Sequence, residues 1–87
     1  MRKSTAKPLS KDEVLLRFGL AVRSLRNERQ LTQEQLAELS ELHVTYISQV
    51  ERGLKNLSLF NMHRIAEALH VSPAELFDTS SSKRAAR

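Results

Sequence analysis

Apolar residues recur at helical spacing along most of the chain. The first such stretch has intervals of four, four and three residues, which places one side of a helix against a core. Its members are Val14, Phe18, Val22 and Leu25. Ser10 and Glu13 form a capping box in front of this stretch, so we expect the first helix to begin there and to end near Gln30.

Two short helices are expected next. Thr32 and Gln35 form a second capping box and predict a helix that ends near Ser40. The residues expected to face the core from this helix are Leu36, Ala37 and Leu39. The third helix should begin near Val44 and stop at Gly53, because glycine suits the left-handed position that ends a helix.

The last two predicted helices begin at serines. Ser58 can cap the fourth helix, whose expected inward residues are Leu59, Met62, Ile65, Ala66 and Leu69. Ser72 and Pro73 are typical of an N-cap and a first helical residue, so a fifth helix should begin there. No stretch alternates with the period of a strand. The sequence therefore predicts an all-α bundle of five helices with short connections.

The third predicted helix has two chemically different faces. At about 100° per residue, the face expected to pack inward consists of Ile47, Val50 and Leu54. The opposite face consists of Thr45, Ser48, Gln49 and Arg52, with Val44 and Tyr46 on the flanks. Solvated faces are more often built from Glu and Lys pairs, whereas amides and hydroxyls suit hydrogen bonds to base edges. This polar face indicates a helix that reads the major groove of DNA.

Composition argues against most other functions. The 87 residues allow one small domain, and the absence of cysteine excludes a disulfide framework and a thiolate metal site. The sequence has no Ser-His-Asp spacing and no glycine-rich phosphate loop, and its three histidines lack the spacing of metal ligands. We therefore expect no enzyme activity, no metal, no cofactor and no small-molecule substrate.

The formal net charge of +4 is unevenly distributed. Residues 12–78 carry seven basic and ten acidic side chains, so the basic excess lies at the two ends of the chain. Because the ends also lack apolar spacing, we expect flexible basic tails at 1–10 and 79–87 around a folded domain at 11–78. No apolar run of about 18 residues and no signal peptide is present, so we expect no membrane partner and a cytoplasmic protein.

Residues 33–52, QEQLAELSELHVTYISQVER, resemble the helix-turn-helix of the XRE/Cro group of regulators, to which the phage lambda repressor belongs. Ala37 matches the close helix contact, Leu42 the turn, and Ile47 and Val50 the core. The flanks LRNERQLTQEQLA and ISQVERGLKNLSLFNMHRIAEALHVSPAELF extend the resemblance to about residues 18–77. It implies a lambda repressor-like domain with the motif at helices two and three. KNLSLFNMHRIAEAL is also similar to controller proteins of restriction-modification systems.

The resemblance implies roles for individual residues. Those expected to read bases are Val44, Thr45, Tyr46, Ser48 and Gln49. Those expected to meet the DNA backbone are Gln33, Arg52, Lys55 and Asn56, and Gln33 should also support the recognition helix. Arg26 and Glu51 occupy the positions of a structural ion pair between the first and third helices. Tyr46 has a second interpretation, which is that it covers the junction of helices two and three.

The sequence departs from the family pattern in the turn and just after it. Glu41 stands where glycine is usual and His43 where Ser or Thr usually begins the third helix. A residue other than glycine at positive φ costs roughly 1 kcal/mol, so we expect a strained or reshaped turn. Val44 replaces a common polar reader, which puts hydrogen bonding at that base step in question.

The resemblance also implies a homodimer formed through the C-terminal helix. Phe60 lies off the inward face of the fourth predicted helix, as apolar residues at a subunit surface often do. The expected interface residues are Phe60, Leu69, Val71, Leu76 and Phe77, although core packing alone would also explain the last four. A two-fold dimer should bind a double-stranded operator that is an inverted repeat. The alternative function is that of an antitoxin or protein-interaction module in which DNA binding is secondary.

Overall fold

Five α-helices account for most of residues 8–78, the part of the chain that the computed structural model describes. They are α1 (Lys11–Glu28), α2 (Gln33–Ser40), α3 (Val44–Glu51), α4 (Leu59–Ala68) and α5 (Pro73–Asp78). Residues 8–78 contain no strand, so the predicted all-α class is confirmed. Of the predicted tails, residues 1–7 and 79–87 lie outside the described part. None of the five helices is both long and apolar enough to cross a membrane.

The helices begin where the capping signals predict. The Ser10 hydroxyl accepts from the Glu13 backbone N–H at 3.1 Å, and the Glu13 carboxylate accepts from the Ser10 N–H at 2.9 Å. Thr32 and Gln35 exchange the corresponding bonds at 3.0 and 2.8 Å. Ser10 is therefore the N-cap of α1, as its capping box with Glu13 predicts.

Four helices end in a residue with left-handed backbone conformation. These residues are Gln30 (φ 58°), Glu41 (φ 60°), Gly53 (φ 75°) and His70 (φ 61°). After each one, the next backbone N–H bonds back to a carbonyl five residues earlier, as in Leu42 N to Ala37 O at 2.9 Å. This is the Schellman arrangement, which ends a helix and satisfies its last carbonyls. Because α1 ends in this way, it stops at Glu28, slightly before the predicted end near Gln30.

The core lies where the five helices meet. Its buried residues are Phe18, Val22, Leu25, Leu36, Ala37, Ile47, Val50, Ile65, Ala66, Leu69 and Leu76. Helix α1 packs against α3 and α5, α2 packs against α3 and α4, and α4 packs against α5. Helix α3 is therefore held between α1 and α2, with its remaining face directed outward.

Three leucines predicted to face inward are exposed instead, so those predictions are wrong. They are Leu39, Leu54 and Leu59, at 57%, 58% and 74% exposure. Val14, also predicted to face the core, is 38% exposed. The buried face of α2 is completed by Ser40, about 100° around the helix from Leu39. Leu54 follows the left-handed Gly53, so the helical spacing no longer applies to it. Leu59 is the first residue of α4, whose buried residues, Ile65 and Ala66, lie in its second half.

Helix α1 approaches α3 so closely that only glycine fits at the contact. A Cβ on Gly19 would lie 2.3 Å from the Val50 carbonyl oxygen and 2.8 Å from that of Glu51. Gly53 makes a second close contact, because a Cβ there would lie 2.9 Å from the Cα of Leu16. These two backbone contacts set the position of α3 against the rest of the domain.

Candidate nucleic-acid interface

The polar face of α3 lies on the outside of the domain. Ile47 and Val50 are buried, whereas Thr45 and Arg52 are exposed and Ser48 and Gln49 are half-buried. At about 100° per residue, the four polar side chains occupy an arc of about 100° opposite the core. They form one continuous surface of hydroxyl, amide and guanidinium groups, which we call the polar face of α3.

The flanking residues Val44 and Tyr46 are half-buried and pack against the core. The Tyr46 hydroxyl oxygen accepts a hydrogen bond from the Asn61 side-chain nitrogen at 3.0 Å. Since Asn61 supplies the hydrogen of this bond, the tyrosine hydroxyl keeps its own hydrogen for another acceptor. Tyr46 thus covers the junction beside α4 while retaining a donor at the edge of the polar face.

A buried carboxylate ties α3 to both neighbouring helices. Glu51, with its side chain 3% exposed, accepts from Arg26 Nε at 2.6 Å and from Arg26 Nη2 at 3.1 Å. It accepts a third bond from Gln33 Nε2 at 3.0 Å. The structure therefore brings together three residues that the sequence assigned to this region. The cluster joins α1, α2 and α3, and a bidentate Arg–carboxylate pair fixes orientation as well as charge.

Gln33 is the first residue of α2 and is half-buried. Its amide nitrogen carries two hydrogens, and the bond to Glu51 uses one of them. The second hydrogen remains available to an acceptor outside the domain. Gln33 is thus in a position both to support α3 and to contact a ligand beside it.

Three further predicted contact residues lie at the end of α3 or just after it. Arg52 is the C-cap of α3 and is exposed, on the same arc as Thr45. Lys55 is half-buried and Asn56 is exposed, and both belong to the connection between α3 and α4. The polar face therefore ends in one cation, and a second cation and an amide follow it in the connection to α4.

The turn between α2 and α3 has the left-handed residue that the sequence led us to expect. Glu41 occupies this conformation at φ 60°, although it is not glycine. His43 is the N-cap of α3 and makes no side-chain capping bond. The turn therefore adopts the left-handed conformation without a glycine, and α3 begins without a side-chain cap.

Sequence reasoning missed two residues of α4 that support this region. Asn61 contacts Tyr46, and Arg64 Nη1 donates to the Ser40 carbonyl at 3.2 Å and to the Glu41 carboxylate at 3.0 Å. Both are half-buried and lie off the buried face of α4, where a polar residue normally indicates only solvent exposure. The only signal in the sequence is indirect, because a left-handed Glu41 needs some compensating contact.

The predicted dimer residues are not all on the surface. Leu69 and Leu76 are 0% exposed and belong to the core, so their assignment to an interface is wrong. They are buried because α5 folds back on both α1 and α4. Val71 is half-buried against the core, while Phe60 and Phe77 are 61% and 50% exposed.

The two exposed phenylalanines have different surroundings. The Phe60 ring lies under the guanidinium of Arg64, beside the turn between α2 and α3. The Phe77 ring lies 5.5 Å from that of Phe18, where α5 meets α1. A hollow of about 240 Å³ adjoins Phe77 and is also lined by Leu9, Val14, Arg17, Phe18 and Leu76. The apolar surface around Phe77 is therefore larger than the sequence indicated.

No group of three or more His, Asp or Glu side chains in residues 8–78 is arranged to hold a metal ion. His43, His63 and His70 are all exposed, and His70 is the left-handed residue after α4. His63 Nε2 lies 3.6 Å from a carboxylate oxygen of Glu67. All three histidines therefore lie at the surface of the described part of the chain.

Comparison with known proteins identifies close relatives. The sequence pattern of the helix-turn-helix family matches residues 22–76. The chain is 44% identical over 68 residues to the control protein C.BamHI of Bacillus amyloliquefaciens. The aligned residues cover 77% of this chain and 84% of the relative.

Two solved structures have a similar fold. The restriction-modification controller protein C.AhdI of Aeromonas hydrophila superposes with a TM-score of 0.71 at 48% identity, covering 72% of this chain and 96% of that one. The controller protein C.Esp1396I, solved as a tetramer with its natural 35 base-pair operator, has a TM-score of 0.71 at 34% identity. That match covers 77% of this chain and 88% of the relative.

Proposed function

The chain belongs to the helix-turn-helix family and is a DNA-binding transcriptional regulator, and we propose that it is the controller protein of a restriction-modification system. We place its action in the cytoplasm, as a homodimer on an inverted-repeat operator. The observation that carries DNA binding is the polar face of α3, held outward by buried contacts to α1 and α2, and the controller role rests on the similarity to C.BamHI and C.AhdI. Regulation then consists of occupying the operator, without a chemical reaction.

In this proposal α3 enters the major groove with Thr45, Ser48 and Gln49 toward the base edges. Gln49 lies at the centre of the face and can donate to and accept from adenine. Val44 and the Tyr46 ring contribute apolar contact at the flanks. Both are already packed against the core, so their positions are fixed before DNA binds. The Tyr46 hydroxyl hydrogen adds a donor there. Hydrogen bonds therefore read the bases in the middle of each half-site, and apolar contacts are made at its edges.

Phosphate contacts in this proposal come from both ends of the motif. Gln33 offers its second amide hydrogen on one side, and Arg52, Lys55 and Asn56 lie on the other. Contacts of this kind set the register of α3 along the groove but carry no sequence information. The local positive charge beside α3 is needed because residues 12–78 are formally negative.

The proposed dimer surface is the apolar patch around Phe77, extended by Leu9 and Val14, which are 46% and 38% exposed. An isologous contact places the same patch of each copy against the other. Phe77 is already fixed against Phe18, so ordering it at an interface costs little entropy. The tetramer of C.Esp1396I on its operator is compatible with two such dimers side by side.

Selection of bound sequences from a random pool of duplexes tests this function. We expect an inverted repeat with half-sites about 10 to 10.5 base pairs apart, because two recognition helices of a dimer enter successive grooves on one face. Sedimentation at micromolar concentration should show the dimer. A single short half-site together with a monomer would contradict the homodimer.

The genomic position of the selected site tests the controller role. We expect it upstream of the chain's own gene, beside genes for a methyltransferase and an endonuclease. A toxin gene next to this one, or a second protein that co-purifies with the chain, would instead support the antitoxin alternative. The relatives described above are controller proteins and do not favour that alternative.

A further inference from the structure

The turn between α2 and α3 contains a conformational problem. Glu41 adopts a left-handed backbone conformation that residues other than glycine avoid, because their Cβ comes too close to the following carbonyl oxygen. The turn needs that conformation, since Leu42 N must reach Ala37 O at 2.9 Å to end α2. If Glu41 relaxes to an ordinary conformation, the direction in which α3 leaves the turn changes.

Arg64 of α4 makes three contacts with this turn through one nitrogen. Its Nη1 lies 3.2 Å from the Ser40 carbonyl oxygen, 3.4 Å from the Glu41 carbonyl oxygen and 3.0 Å from the Glu41 carboxylate. The guanidinium carbon Cζ also lies over the Phe60 ring, 4.7 Å from its centroid. The arginine is thus held between an aromatic ring and the last carbonyls of α2, which carry partial negative charge.

We propose that Arg64 is a positioning residue for DNA binding: it fixes Glu41 in the left-handed conformation and so sets the angle at which α3 meets the operator. The inference rests on the proposed function only in that α3 is the reading helix. Arg64 touches the motif from outside it, 23 residues away from Glu41 in the chain. Phe60 then has a structural role within a single chain, because the Arg64 guanidinium packs on its ring.

The other helix ends support this interpretation. In residues 8–78, two further left-handed residues are not glycine, and an arginine donates to a carbonyl next to each. Arg26 donates to Leu31 O beside Gln30, and Arg29 donates to Leu69 O beside His70. Arginine therefore accompanies each left-handed turn that lacks glycine. Only the turn held by Arg64 lies inside the helix-turn-helix.

A rival explanation is that Arg64 binds a DNA phosphate through its charge. The two roles predict different salt dependence, because losing one phosphate contact reduces the slope of log K against log salt by roughly 0.9. A positioning residue leaves that slope unchanged. The two roles also differ in whether glycine at position 41 makes Arg64 dispensable.

The experiment compares four variants with the wild-type protein: Arg64→Gln, Arg64→Lys, Glu41→Gly and the double variant Glu41→Gly with Arg64→Gln. Affinity for the selected operator is measured at several salt concentrations where thermal unfolding shows each protein to be folded. Amide hydrogen exchange at Leu42 reports the turn directly and does not depend on DNA. Arg29→Gln is the matched control, because it removes the same charge and the same kind of contact from a turn outside the motif.

We expect Arg64→Gln to bind the operator about tenfold more weakly, with an unchanged salt slope. A tenfold loss corresponds to a fall of the left-handed turn, the form that can bind, to about a tenth of the population. Exchange at Leu42 should accelerate at least tenfold, because the open form of the turn rises from a minor fraction to about nine tenths of the population. Arg64→Lys should remain weakened, because it keeps the charge but is one atom too short to place its nitrogen at the Nη1 position and has no planar group to stack on the Phe60 ring. Glu41→Gly should bind as wild type, and the double variant should recover most of the affinity. Arg29→Gln should bind as wild type.

Wild-type affinity in Arg64→Lys, or a shallower salt slope in Arg64→Gln, would overturn the proposal in favour of a charge contact. Failure of Glu41→Gly to restore the double variant would overturn it as well. If α3 is not the reading helix, affinity will not follow the turn, yet Leu42 exchange will still accelerate in Arg64→Gln. That result would reject the proposed function while keeping the contact between Arg64 and the turn.

Discussion

The buried Arg26–Glu51 pair gives a prediction whose size follows from the structure. In Arg26→Met, the Glu51 carboxylate loses two of its three hydrogen bonds and its counter-charge, while its side chain stays 3% exposed. Breaking a buried pair by removing one partner costs about 3 to 5 kcal/mol. A domain of this size has a stability at the low end of roughly 5 to 15 kcal/mol, so most of it should be lost.

Urea unfolding followed by far-ultraviolet circular dichroism measures this loss. With a slope of about 1 kcal/mol per molar urea for a small protein, we expect the midpoint of Arg26→Met to fall by about 3 M or more. Glu51→Gln should cost less, about 1.5 to 3 kcal/mol. It leaves a guanidinium that is 11% exposed and still bonded to Leu31 O at 2.7 Å.

The double variant, Arg26→Met with Glu51→Gln, decides whether the unpaired charge is the cause. It contains no buried charge, and the glutamine introduced at position 51 can still bond to Gln33, so we expect it to be more stable than Arg26→Met alone. The coupling between the two positions should be about 2 kcal/mol. The reasoning is refuted if the two single costs simply add, or if Arg26→Met costs less than about 1 kcal/mol.

Three further predictions concern DNA binding and packing. Gln49→Ala should lower affinity for the selected operator by about 1 to 3 kcal/mol and barely change binding to unrelated duplex, and equal losses on both would show that Gln49 does not read bases. Gly19→Ala should destabilise the domain in thermal unfolding by about 1 to 3 kcal/mol, because its Cβ would lie 2.3 Å from the Val50 carbonyl oxygen; unchanged stability would contradict that close contact. Residues 1–7 and 79–87 are rich in Lys and Arg, and their removal should weaken binding at low salt and reduce the slope of log K against log salt. The preferred bases should stay the same. An altered base preference would indicate that an end of the chain reads DNA.

The sequence alone determined the features that depend on neighbours along the chain. The capping boxes at Ser10 and Thr32 fixed where two helices begin, because each joins residues only three positions apart. The polar face of α3 could likewise be predicted, since the helical period alone separates Thr45 and Gln49 from Ile47. The left-handed Glu41 was expected from its position in the motif.

Only the tertiary structure decided which faces are covered. Leu39 and Leu69 both fit an inward pattern at short range, yet Leu39 is 57% exposed and Leu69 is fully buried. No local pattern indicated the role of Arg64. Its partner Glu41 precedes α3 in the chain whereas Arg64 follows it, so the two come into contact only when α4 packs against α2. Spacing along a helix fixes the direction of a side chain, but burial and pairing depend on the helix that arrives from elsewhere in the chain.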